Sequence, residues 1–396
     1  MSAEHKYVGM TGNEAVAHAM KQINPDVIAA YPITPQTDVV QYYSQFAADG
    51  EVDTEMVTVE SEHSAMSATI GASAAGARAM TATSSQGLAL MWEMLHIAAG
   101  DRLPIVMPVV NRALSSPINI HCDHSDTMGS LTTGWIQLYS ENAQEAYDNM
   151  IQAVKIAEDP RVLLPVMVCY DGFITSHAVD NLELLDTEVV RRFVGQYKPQ
   201  RPLLNLDDPI TVGPLVLPDY YTEIRAQESE AMVRSREVIL EVAREFEKIS
   251  GRKYGFFEEY KMDDAERVIV VLSSTAGTTK AVVDQLRAKG EKVGLLKPRV
   301  VRPFPAKELV EALSGIKAVA VMDRAETFST QGGQMFTELR AAFYAEPKRP
   351  LMRGYIFGLG GRDTTTREIK RVFEDLSSDL EKGRVGQLVS YLDVRA

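Results

Sequence analysis

Two prolines bracket Ile33 and Thr34 in the segment Tyr31-Pro32-Ile33-Thr34-Pro35. Proline fixes its own φ and drives the preceding residue out of the α region, so this loop is stiff and presents the Thr34 hydroxyl in one orientation. The loop follows the short apolar run Val27–Ala30, and open α/β sheets bind ligands beyond the carboxyl ends of their strands. A rigid turn without chemistry is the plainer alternative.

Three further segments could do chemistry. In Val57-Thr58-Val59-Glu60-Ser61-Glu62-His63 a carboxyl, Glu62, stands where a strand turns into a helix rich in Ala, Gly and Ser. Small side chains admit a flat ligand, and a buried carboxyl has a raised pKa and can share a proton with a ring nitrogen. The alternative is that Glu62 only satisfies first-turn N–H groups and the helix dipole. Glu60 competes with it and is read as lying at the strand end or pointing outward. In Thr83-Ser84-Ser85-Gln86-Gly87, hydroxyls and a glycine follow a strand and precede a helix. That suits a polar cofactor edge or an anion at a helix N-terminus, as well as a plain capped turn.

The last segment centres on Arg112, at the end of an all-apolar strand. A guanidinium there is costly without an anionic partner, and a small organic acid would serve. Pairing with Asp123 or Asp126 is the structural alternative. The run His121-Cys122-Asp123-His124 invites a metal. Four adjacent residues cannot all reach one ion without distorting the backbone, and no outlying Cys/His pair completes a site. The run is read as a structured loop at an active-site rim or a subunit interface, and no metal is assigned to this chain.

The elements that must position these residues alternate. Helices are read over Gly12 to Gln22, Asp38 to Ala47, Glu62 to Gly76 and Leu88 to Ala99. Strands are read over Val27 to Ala30, Met56 to Val59, Ala79 to Thr83, Pro104 to Val110 and Val162 to Cys169. Continuous apolar runs alternating with helices indicate a parallel sheet in an α/β fold. Five prolines between 199 and 218 break the rhythm and read as an extended linker. A long helix, Tyr221 to Ser250, follows. A second α/β unit begins near Arg267, with strands Val268 to Leu272, Lys292 to Lys297 and Ala318 to Met322. The glycine cluster Gly358-Leu359-Gly360-Gly361-Arg362 lacks the spacing of a dinucleotide fingerprint.

Composition narrows the partners. With 41 basic and 54 acidic residues the net charge is −13, which argues against nucleic acid or an anionic membrane as the main partner. The N-terminal Met1 to Met10 is polar and reads as no secretory signal. The small-residue run Ala65 to Ala82 carries Arg78 and many hydroxyls, so it is a poor membrane span. Cys122 and Cys169 are the only cysteines. Two exclude a four-cysteine iron–sulfur or zinc site on this chain, and they read as reduced, as in a cytoplasmic protein.

Tyr31-Pro32-Ile33-Thr34-Pro35, Glu60-Ser61-Glu62-His63, Gly71 to Gly76, Thr83 to Gly87, Asn111-Arg112, Asp123 to Asp126 and Thr133 to Gln137 occur in one order. Together they closely resemble the α subunit of the 2-oxoacid:ferredoxin oxidoreductases, most nearly the pyruvate enzymes. The resemblance implies a thiamine-diphosphate-binding fold: a pyrimidine-binding domain over 1–192, a linker and long helix over 193–262, and a transketolase-C-terminal-like α/β domain over 263–396. It implies that Glu62 bonds the cofactor's pyrimidine, with Ile33, Ser85 and Gln86 beside it. Thr34 and Arg112 would hold the 2-oxoacid. The thiamine diphosphate would be shared with a β subunit, and Mg²⁺ and [4Fe-4S] clusters would lie on partner subunits of β, γ and δ type. This chain indeed has no Gly-Asp-Gly followed by a distant Asn. Coenzyme A would be co-substrate and ferredoxin the electron acceptor. The implied reaction is oxidative decarboxylation of pyruvate. Alternatives are the same chemistry on 2-oxoisovalerate, phenylglyoxylate or oxalate, a non-catalytic structural subunit, and a stand-alone nucleotide-binding module.

Overall fold

The apolar runs become buried strands, and the hydroxyl-rich junctions after them become helix starts. The structure, a computed structural model, describes residues 6–395; Met1–His5 of the polar N-terminal stretch and Ala396 lie outside the described residues. The chain opens with β1 (Lys6–Thr11) and α1 (Gly12–Ile23). Thr11 and Glu14 form a reciprocal cap at that junction, each side chain accepting the other's backbone N–H. There follow β2 (Val27–Ala30), α2 (Thr37–Ala48), β3 (Glu55–Thr58), α3 (Glu62–Ala75), β4 (Ala79–Met80), α4 (Ser85–Leu90), α5 (Trp92–Gly100) and β5 (Val106–Asn111). Then come α6 (Ser125–Gly129), β6 (Ile136–Ser140), α7 (Ala143–Ala157), β7 (Val166–Asp171), β8 (Val179–Leu184) and α8 (Thr187–Val194).

Residues 195–217 carry no helix or strand, as their prolines foretell. Beyond them lie α9 (Pro218–Ser250), β9 (Phe257–Tyr260), β10 (Arg267–Val271), α10 (Thr275–Arg287), β11 (Val293–Pro298), β12 (Val300–Arg302) and α11 (Ala306–Leu313). The chain ends with β13 (Ala318–Asp323), α12 (Gln334–Ala342), β14 (Leu351–Ile356), α13 (Thr366–Lys382) and β15 (Val389–Tyr391).

Two large sheets result. One has the order β12-β6-β7-β5-β4-β2-β3 and is parallel except for β12; the other runs β15-β14-β13-β10-β11-β9 and is parallel except for β9. Both are α/β sheets of the expected kind. No helix among the described residues is long and apolar enough to cross a membrane.

The structure corrects several boundaries. The strand expected over Ala79 to Thr83 is only Ala79–Met80, and Thr83 rejoins the sheet through a single bridge to Val109. Thr81, Thr83 and Ser84 are buried around that bridge. The helix expected over Leu88 to Ala99 starts earlier, at Ser85, and divides at Met91, whose N–H is shared between the carbonyls of Gly87 and Leu88. The chain also holds β6 and α7, and α7 is buried nearly all round, its polar face with Asp148, Asn149 and Gln152 included. Its polar groups are met from the second half. Arg252 donates to Asp148 at 2.6 and 2.8 Å, and Arg299 donates to Asn149 at 2.8 Å and Gln152 at 3.0 Å.

The core follows the same logic. Ala15, Ala19, Tyr147, Met150 and Ile151 of α1 and α7 close one face of the first sheet. A second cluster runs from Leu95, Trp135 and Tyr139 to Val301, Leu313, Phe336 and Leu339, so one apolar body spans both halves. Each of the larger aliphatic and phenyl side chains, such as Met150, Ile151 and Phe336, contributes roughly 1.5–3 kcal/mol on burial.

Candidate functional site

Four loops leave the carboxyl ends of neighbouring parallel strands. Arg112 follows β5, Ser85 and Gln86 follow β4, the Pro-bracketed loop follows β2, and Glu62 follows β3. That is the order β5-β4-β2-β3 across the sheet, so residues distant in sequence share one rim. All six residues singled out in the sequence lie on it.

The Arg112 guanidinium reaches past β4 to the loop after β2. Its Nη1 donates to the Thr34 carbonyl at 2.9 Å and its Nε to the Asn119 carbonyl at 3.0 Å. It is buried, and no carboxylate among the described residues pairs with it. Burial pushes its pKa below the ordinary value, while Asp126 acts in the opposite sense. Thr34 therefore meets Arg112 through its carbonyl and not through its hydroxyl, and the residue itself is exposed. The loop around it is held from beneath. Asn13 donates to the Pro35 carbonyl at 2.8 Å, and the half-buried Ile33 donates its N–H to Gln36 at 3.2 Å. Tyr170 in turn donates to Asn13 at 2.9 Å.

Asp126 ties the rim together. Its carboxylate accepts from Ser85 N (3.0 Å), Arg112 N (3.0 Å), Asn111 Nδ2 (2.9 Å) and Thr127 N (2.8 Å). Asp126 thus fixes the backbone of Arg112 and accepts no hydrogen bond from its guanidinium. Burial pushes its pKa up to about 6, against the pull of these four donors. The sequence offers no pattern for this role; Asp126 enters there only as a possible guanidinium partner. Ser85, buried with φ +47°, lies 2.5 Å from both the Ala113 carbonyl and Gln86 Oε1. Gln86 is half-buried, and its Nε2 donates to Ser115 at 2.5 Å.

Glu62 does not cap its helix; the Ser61 hydroxyl does, accepting from Ser64 N at 3.2 Å. The Glu62 carboxyl is buried and has no hydrogen-bond or ion-pair partner among the described residues. It lies over Gly87, where a Cβ would stand 2.8 Å from Glu62 Oε1 and 2.3 Å from Thr83 Oγ1. Thr83 Oγ1 and Ser84 Oγ are buried without partners as well. A flat ring with a proton to share would answer an unpartnered carboxyl, two orphaned hydroxyls and a glycine cradle. Glu60 is exposed and accepts a bond from the Ser64 hydroxyl at 2.6 Å.

The loop His121–His124 lies beside this rim, against the second half of the chain. Cys122 and His124 come close to Asp171. Arg324 fills that cluster with a cation, 2.9 Å from Asp171, and His124 Nε2 is 2.7 Å from the same carboxylate. Burial opposes ionisation of Asp171, but His124, Arg324 and Ser274 hold its carboxyl well below the usual range. Both cysteines are free and fully buried, which pushes their thiols well up.

Residues 18–244 match the family described as pyruvate flavodoxin/ferredoxin oxidoreductase, thiamine diphosphate-binding. Residues 265–369 match pyruvate:ferredoxin oxidoreductase core domain II. The chain is 57% identical over 368 residues to pyruvate synthase subunit PorA of Thermotoga maritima, covering 93% of this chain and 94% of that one. It is 50% identical over 386 residues to pyruvate synthase subunit PorA of Pyrococcus abyssi, covering 98% of each. Ketoisovalerate oxidoreductase subunit VorA of the same organism is 44% identical over 387 residues, 98% of this chain and 97% of that one. Among solved structures the fold is similar to a 2-oxoglutarate:ferredoxin oxidoreductase from Magnetococcus marinus, with TM-score 0.72 at 22% identity, over 93% of this chain and 65% of that one. A split-gene transketolase shares it with TM-score 0.55 at 12% identity, over 94% of this chain and 99% of that one.

Proposed function

Because the chain belongs to the pyruvate:ferredoxin oxidoreductase family, we propose that it is the α subunit of a multi-subunit enzyme that oxidatively decarboxylates pyruvate to acetyl-CoA and CO₂ and passes the electrons to ferredoxin. Relatives named as subunits over nearly their whole length support this reading. Bound thiamine diphosphate would supply the carbon nucleophile for the 2-oxo carbonyl and the sink for the electrons left when CO₂ departs. In this chain Glu62 holds or moves a proton at the pyrimidine ring, over the cradle of Gly87. Ile33, Ser85 and Gln86 line the same ring. Arg112 binds the substrate carboxylate, and Thr34 orients it. The diphosphate and Mg²⁺ belong to a β subunit. The iron–sulfur clusters belong to partners of β, γ or δ type, since the two buried thiols here supply no ligand set. Free thiols also suit a cytoplasmic placement.

The observation that carries this reading is the Arg112 guanidinium: buried, anchored on the Thr34 loop, and without a carboxylate of its own among the described residues. Its charge calls for a visiting anion. In the complete complex, Arg112→Ala is expected to raise KM for pyruvate on the order of 10²-fold, and Arg112→Lys, which loses the fork, still raises it clearly. A variant that assembles, retains thiamine diphosphate and keeps KM and kcat would remove Arg112 from the substrate site. The 44% identity to a ketoisovalerate subunit favours 2-oxoisovalerate as the second reading. A panel of 2-oxoacids with a viologen dye decides between them by kcat/KM.

A further inference from the structure

The glycine cluster near the C-terminus, Gly358 to Gly361, has no part in the chemistry above, yet it touches the loop that holds Arg112. Gly360 and Gly361 have φ of +60° and +80°, and a Cβ on them would stand 2.4 Å from Asn119 Nδ2 and 2.4 Å from His121 Cβ. Only glycine allows the turn both the left-handed backbone and this approach. The contact is made by hydrogen bonds. Asn119 Nδ2 donates to the Gly360 carbonyl at 2.9 Å, and Gly360 N donates to Asp123 Oδ2 at 3.2 Å. Asn119 Oδ1 accepts from His121 N at 2.7 Å, which closes the loop on itself. The Asn119 carbonyl is one of two acceptors that orient the Arg112 guanidinium among the described residues, the Thr34 carbonyl being the other.

We infer that Asn119 is a positioning residue for substrate capture: it transmits the glycine turn of the second α/β unit to the Arg112 guanidinium. The inference rests on the reading of Arg112 as the carboxylate anchor. A planar guanidinium needs two fixed points to present its remaining edge in one direction. One comes from the Pro-bracketed loop and the other, through Asn119, from the opposite half of the chain. The glycine cluster is then a contact device between halves and no nucleotide site.

A double-mutant cycle in the assembled complex tests this, reading KM for the 2-oxoacid, melting temperature and bound thiamine diphosphate. Asn119→Asp keeps the acceptor for His121 N–H and loses the donor to Gly360. It is expected to raise KM about tenfold with bound cofactor unchanged. In an Arg112→Ala background the same change is expected to add less than about twofold, because the group it positions is gone. An unchanged KM in the single variant overturns the inference while leaving the role of Arg112 intact. Equal penalties in both backgrounds overturn it too, since Asn119 would then act independently of Arg112. If Arg112→Ala alone leaves KM unchanged, the anchor reading fails and the inference falls with it. Should Asn119→Asp not assemble, Gly360→Ala approaches the contact from the other side: a rise in KM that vanishes without Arg112 supports the inference, and an unchanged KM or equal penalties overturn it.

Discussion

Two carboxyls at the rim do opposite work. Glu62 is buried with no partner among the described residues, whereas Asp126 accepts from four N–H donors. Glu62→Gln should therefore leave assembly intact and lower turnover on the order of 10²–10⁴-fold, as loss of a proton-sharing group does. Glu60→Gln, at an exposed position, should keep activity; steady-state rates of the two variants check the assignment, and the reverse result would name Glu60 instead. Asp126 has a measurable signature of its own. Its folded-state pKa is raised from 3.8 to about 6. A raised carboxyl favours folding while protonated, so its contribution is complete below pH 3.8 and is lost as pH rises through about 6. Melting curves on either side of that window should show this component, and Asp126→Asn should abolish it, at a cost of roughly 1–3 kcal/mol for mismatched donors. The places of Thr34, Glu62 and Arg112 at the ends of strands were legible in the sequence because prolines, a strand–helix junction and an apolar strand end are local signals. The hydrogen bonds of Asp126 and Asn119 were not, because they run to backbone atoms elsewhere in the chain.

Among the elements, α7 shows how much of a helix's burial lies outside its own sequence. Ala146, Tyr147, Met150, Ile151 and Val154 have the spacing of one apolar helix face, but the polar face carrying Asp148, Asn149 and Gln152 is buried as well, because its partners, Arg252 and Arg299, arrive from a hundred or more positions away. Strand β6 likewise buries polar residues: Gln137 and Ser140 are fully buried within it. By contrast, β2 begins and ends where its apolar run does, and α3 starts at Glu62 as the junction foretells. The partnership at α7 can be tested by removing one side of it. Asp148 is fully buried and held by two Arg252 bonds and by the Tyr254 hydroxyl at 2.6 Å. Arg252→Ala leaves that carboxylate with one donor fewer on each oxygen and is expected to cost about 3–5 kcal/mol. A fall in melting temperature with unchanged KM would locate the effect in the fold and away from the rim.

For the whole molecule, the decisive contacts are those that join the halves. Asp171, at the end of β7, meets Arg324 just after β13 and the hydroxyl of Ser274 just before α10, so one carboxylate closes on two segments of the second α/β unit. Asp171→Asn strands the buried Arg324 charge and is expected to destabilise the chain by about 3–5 kcal/mol, read as a lowered melting temperature of the complex. The pairing of β12 with β6 carries a further consequence. Val300 lies opposite Leu138, antiparallel, at the border of a sheet otherwise built from residues before 172. The later half thus donates a strand to the earlier one. A fragment ending before that strand would present β6 as a naked edge, open to pairing with another copy of itself. The division into two α/β units is therefore architectural and not a division into self-sufficient parts: the earlier sheet is completed by a strand of the later half, and the loop that holds Arg112 is bonded to the glycine turn near the other end of the chain.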